Sequence, residues 1–115
     1  MALHTHLPIY KVTYDLTVHA SKITRSFPRD ARSHAVTIRE LCAAMVLLIY
    51  RANSAKDKRP HLSALLEQVQ ITELMLRLAR DLALISVGQY ADAVEMTDAI
   101  GKQAMGWRKS CSPSA

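Results

Sequence analysis

"LCAAMVLLIYRANSAKDKRPHLSALLEQVQITEL", residues 41–74, decides the fold. Its first ten residues, Leu41 to Tyr50, carry no charge. About 20 apolar residues are needed to cross a bilayer, so this run reads as a buried helix and not as a membrane span. The next ten, "RANSAKDKRP", are polar and close on Pro60, which opens a helix well because its missing N–H is not needed in the first turn. From there to Ile85 or Ser86, polar Ser63, Gln70, Glu73, Arg77, Arg80 and Asp81 gather on about a third of a helical wheel. Two antiparallel helices joined by a polar loop follow from this pattern.

The remaining chain adds one helix on each side. Pro8 starts the first, in which Ile9, Val12, Leu16, Ala20 and Ile23 share a face at helical spacing up to about Arg25. Phe27-Pro28 breaks it, because a residue before proline avoids the α region. Helix 2 resumes near Arg29, with Ala35, Ile38, Leu41, Cys42 and Met45 on one face, and its second half, "CAAMVLLIY", is apolar all round. "SVGQ" around Gly88 reads as a short turn, and helix 4 follows with Tyr90, Ala93, Val94, Thr97, Ile100, Gly101, Ala104, Met105 and Trp107 on its apolar side. No period-2 run bounded by turn residues competes. The expectation is an all-α, antiparallel up-down-up-down four-helix bundle over residues 1–110, with helices at about 8–25, 29–53, 60–86 and 89–109, and a disordered tail at 111–115. Glu73–Arg77 and Arg77–Asp81 are expected to pair one turn apart.

Self-association is the economical account of two features. Helix 2 has no polar side in its second half, and the apolar arc of helix 3 is wider than one small bundle requires. Leu48, Ile71, Leu74, Leu78 and Leu82 are the expected oligomer interface.

Catalytic chemistry finds little support. The three Gly stand singly, so no phosphate loop is present. Glu-x-x-His, the di-metal bundle signature, is absent. No Ser sits in a G-x-S-x-G context. His4-Thr5-His6 lacks a third ligand at useful spacing and reads as a frayed terminus, and no metal or cofactor is expected. His19, His34 and His61 are scattered over different segments. Cys42 lies among apolar residues, which suppress thiolate formation, and Cys111 stands in the polar tail.

Charge is the stronger signal. The net charge is +5, but residues 1–59 hold ten Lys and Arg against four acids, while residues 60–115 hold five against six. "TRSFPRDARSHAVTIREL", residues 24–41, concentrates Arg25, Arg29, Arg32 and Arg39 around the Phe-Pro break, with Lys22 just before it. Positive charge at a helix start is mildly unfavourable, so helix stability does not account for the cluster. Arg binds phosphate bidentately, and a nucleic-acid backbone is the natural counter-charge. Lys22, Arg25, Arg29, Arg32 and Arg39 are therefore the expected nucleic-acid contacts. The plainer account is a solvated face with Arg29 and Arg32 paired to Asp30 or to an acid elsewhere. Aromatics are scarce, so a base-stacking platform is not expected. No leader segment is read at the N-terminus, and with no membrane span the chain is expected in the cytoplasm.

"FPR" at 27–29, "RAN" at 51–53, "RLARDLALIS" at 77–86, Tyr90 and "IGKQAMGW" at 100–107 resemble the four-helix-bundle family that includes proteins encoded in 23S ribosomal RNA intervening sequences. The closer likeness is to the branch containing the accessory variability determinant of bacterial diversity-generating retroelements. Ribosomal-insert members carry a "SIxxNIAEG"-like run ending helix 2 where this chain has "LLIYRANSA", which favours the retroelement-like branch. The resemblance implies a small cytosolic bacterial bundle that assembles as a ring-like homopentamer with a basic surface. It also implies binding to RNA or DNA, with a reverse transcriptase as partner and no chemistry of its own. The competing expectation is a protein-interaction scaffold with no nucleic-acid role.

Overall fold

A computed structural model describes residues 3–111. Four α-helices carry the fold: α1 over Pro8–Thr24, α2 over Arg32–Ser54, α3 over Arg59–Asp81 and α4 over Val87–Ser110. Single 3-10 turns precede α1 at His4–His6 and α2 at Arg29–Ala31. Among the described residues there is no strand. Each helix packs on its neighbours in sequence, and α1 also packs on α4, which closes a four-sided bundle. Three contacts run in opposite directions along α3 and α4: Ser63 with Arg108, Glu73 with Thr97, and Arg80 with Tyr90. These two helices are therefore antiparallel. Connections this short are compatible with the same up-down order throughout.

The core repeats the periodicities of the sequence. Ile9, Leu16, Ala20 and Ile23 of α1 meet Ile38, Cys42, Met45 and Ile49 of α2, with Leu62, Leu65, Val69 and Leu76 of α3 and Ala93, Ile100 and Ala104 of α4. Four threonines are the only buried polar residues among those described. Thr13, Thr24 and Thr72 donate to the carbonyl four residues back, at 2.7–2.8 Å. Thr97 Oγ1 donates to the Glu73 carboxylate across the α3–α4 seam at 2.6 Å. Glu73 is thus engaged with α4, and neither Glu73–Arg77 nor Arg77–Asp81 forms an ion pair; Asp81 instead takes Arg80 at 2.9 Å. His4 is packed and not frayed, its ring set edge-on against Tyr10 at 5.4 Å and Tyr50 at 5.1 Å.

The helix ends differ from the sequence expectation in instructive ways. The loop between α2 and α3 is only residues 55–58, because Lys58 closes the end of α2. Its ammonium donates to the carbonyls of Ala52, Asn53 and Ala55 at 2.9–3.0 Å. Those carbonyls would otherwise lack partners, and a cation is favourable at the negative end of the helix dipole. Lys58→Met, which keeps the stem and removes the donors, is expected to lower stability by about 1–2 kcal/mol. A urea titration should show an earlier midpoint at unchanged slope; an unmoved midpoint would mean that water replaces the ammonium at no loss.

α3 ends at Asp81, short of the expected Ser86. Ala83 adopts φ 58°, its N–H donates to Arg80 O at 2.9 Å, and Leu84 N–H donates to Ala79 O at 2.8 Å. This pair of bonds is the Schellman C-cap, normally built on Gly. Ser86 then caps α4: its hydroxyl accepts from Gln89 N–H at 3.0 Å, while the Gln89 side chain accepts from Ser86 N–H at 2.9 Å. Gly88 therefore lies inside α4 and does not make the turn. Because an L-residue is strained in the left-handed region, Ala83→Gly should raise the melting midpoint, by up to about 1 kcal/mol of stability. A lower midpoint would show that the alanine methyl contributes more than the strain it bears. Gly101 faces Val69 with room for a Cβ at 3.9 Å, so backbone crowding does not demand glycine there.

Candidate nucleic-acid interface

The Phe27-Pro28 turn brings the end of α1 against the start of α2. Phe27 N–H donates to Thr24 O at 3.2 Å and Ala31 N–H to Pro28 O at 2.9 Å, which folds the chain back within seven residues. The turn leaves an open groove of about 420 Å³ lined by Thr24, Arg25, Phe27, Arg32, Ala35, Val36 and Arg39. Of these, Thr24 and Ala35 are buried, Phe27 is half-buried against the core, and Val36 is exposed. Arg32 and Arg39 reach it from one side because seven residues are two helical turns. Arg25 reaches it as the residue that ends α1.

Three of the five expected cations are thereby gathered. Lys22, one turn before Arg25, and Arg29, in the 3-10 turn, are exposed but do not line the groove. Among the described residues, none of the five makes an ion pair; the pairs present are Arg59–Asp57 at 3.0 Å and Arg80–Asp81 at 2.9 Å. Asp30 is exposed beside them and neutralises neither Arg29 nor Arg32. The start of α2 adds to the imbalance, since it has no side-chain cap and no acid in its first turn. Arrangements of this kind attract a phosphate, with guanidiniums free and donors aimed outward.

Other polar groups are committed elsewhere. His19 Nε2 lies 3.2 Å from Gln89 O and ties α1 to α4. Burial pushes the Cys42 thiol up to about 12, so it stays protonated at neutral pH and is a poor nucleophile. Arg59 bonds Asp57 and holds its carboxyl below the ordinary aspartate value. Among the described residues no three His, Cys, Asp or Glu side chains are grouped to hold a metal, and no helix is long and apolar enough to cross a membrane.

A second surface lies on α3. Ile71, Leu74 and Leu78, with Leu82 at the C-cap just beyond the helix, form an exposed ridge, with Leu74 64% and Leu82 51% accessible. Leu48 differs from the other residues expected in the interface. It is half-buried and packs against the core, because it stands one turn after Met45 on the flank of the buried face. On α2 it is Leu47 and Tyr50 that point outward, each about half accessible. Phe27 escaped the sequence reading as a groove residue because it was legible only as the partner of a helix-breaking proline. The Ser86-x-x-Gln89 spacing was the available signal for the start of α4.

Neither a curated protein nor a solved structure matches the chain. A family model described as bAvd-like matches residues 7–111, from the residue before α1 through the end of α4. That span takes in the whole bundle, the arginine groove and every motif that suggested the retroelement-like branch, and the chain accordingly belongs to the bAvd-like family.

Proposed function

We propose that this protein is a non-enzymatic accessory protein that binds the backbone of RNA or DNA through Arg25, Arg32 and Arg39, with Lys22 and Arg29 alongside. The observation that carries the reading is the groove itself: three guanidiniums converge on it without a carboxylate partner among the described residues. Membership of the bAvd-like family supports an accessory role next to a reverse transcriptase. The exposed ridge of α3 supports self-association, and the pentamer implied by the resemblance would repeat the groove five times and raise a weak per-site affinity by avidity. A cytoplasmic setting suits both proposed partners.

Fluorescence anisotropy with labelled RNA and duplex DNA, titrated at several salt concentrations, tests this directly. Three phosphate contacts per site give a slope of about −2 to −3 in log K against log salt. Absence of binding at low salt would end the reading. The ridge of Ile71, Leu74, Leu78 and Leu82 would then favour the second reading, a protein-interaction scaffold that docks through apolar surface and is much less sensitive to salt.

A further inference from the structure

We propose that the groove receives an unpaired base, stacked against Phe27, from a single-stranded segment whose flanking phosphates lie on Arg25, Arg32 and Arg39. This rests on the nucleic-acid reading above and adds which form of nucleic acid the site selects. A surface that met only phosphates would need exposed cations and no apolar side chains between them. This one is concave, and Ala35, Val36 and Phe27 line it together with the three guanidiniums. The Thr24 hydroxyl, which could have made the lining more polar, is already donated to Ala20 O at 2.7 Å.

Duplex DNA and RNA present phosphates outward and keep their base faces stacked inside. A duplex can touch the arginines, but it has nothing to place on the apolar side chains among them. An unpaired nucleotide offers both parts: a flat π-face for the ring and for guanidinium planes, and phosphates on each side. At about 420 Å³ the groove falls within the range of small-ligand clefts, roughly 300–1,000 Å³. One aromatic ring is not an extended platform, so one base per site is the expected occupancy. Among the described residues, no unpartnered polar side chain other than the three guanidiniums lines the groove, and the contact should tolerate any sequence.

The test compares a labelled, unstructured RNA oligonucleotide with the same strand annealed to its complement, on the full chain. The single strand should bind more tightly. Phe27→Leu, which keeps an apolar side chain and removes the ring, should weaken the single strand about ten-fold, the scale of one base–aromatic stack, and leave the duplex unchanged. Phe27→Tyr should restore the loss. A strand carrying abasic sites throughout, measured on the unaltered protein, should show the same ten-fold deficit, and this arm holds even if Phe27→Leu folds poorly. Equal affinity for strand and duplex, or for abasic and normal strands, overturns the proposal while leaving phosphate binding intact. No binding to any of them at low salt removes the nucleic-acid reading as well.

Discussion

Replacing Arg25, Arg32 and Arg39 together by Glu should lower affinity for RNA at low salt by about 100-fold or more. The three side chains share one groove and none is held by a carboxylate among the described residues, so their charge is available to a ligand. A charge-assisted contact at a partly wet rim is worth about 1 kcal/mol, and three give roughly two decades before repulsion from the new carboxylates is added. The salt slope should also flatten, since it counts displaced counterions. The decisive control is Lys11→Glu with Arg51→Glu and Lys56→Glu, three exposed cations outside the groove. Both variants have the same formal charge. If the two lose affinity equally, the protein's overall field attracts the ligand and the groove has no special part in it.

Leu74→Glu combined with Leu78→Glu should convert a self-associated protein into a single copy, read by sedimentation or light scattering. These residues lie one turn apart on the exposed face of α3. Burying a leucine side chain stabilises by about 1.5–3 kcal/mol, so two of them contribute enough to change an association constant by two to four decades. Placing carboxylates there also opposes two copies directly. The helix itself should persist, because neither residue is part of the buried core, and an unchanged helical circular dichroism spectrum checks that point. An assembly that survives both substitutions would move the interface elsewhere, with Leu47 and Tyr50 of α2 as the next surface to alter.

Helix number and packing faces were legible in the sequence because they depend on a periodicity that many residues share. Ile9, Leu16 and Ile23 lie on one stripe, and losing any single one would not hide it. Ends were harder, since each depends on one or two residues. The apolar pattern continues through Leu82, Ala83, Leu84 and Ile85, so nothing in composition shows that Ala83 turns left-handed. For α2 the expected 29–53 differs mainly at its start, where residues 29–31 form a 3-10 turn and the α-helix begins at Arg32; its end at Ser54, closed by Lys58, lies one residue beyond the expected one. At the candidate site, spacing placed Arg32 with Arg39, but the entry of Arg25 and Phe27 depends on the path of the 27–31 turn. Lys22 and Arg29 looked equivalent to the others because linear proximity does not say which side of a turn a side chain takes. Residues 112–115, most of the expected disordered tail, lie outside the described residues.

The crossing of contacts along the bundle has a practical consequence for tethering. His4 meets Tyr50, Lys58 caps the end of α2, and Arg108 donates to Ser63 at 3.3 Å, so the start of α1 and the end of α4 share one pole. The arginine groove lies toward the other pole of a molecule about 50 Å long. A label attached beside His4 or at Arg108 is therefore carried on the far side from the groove.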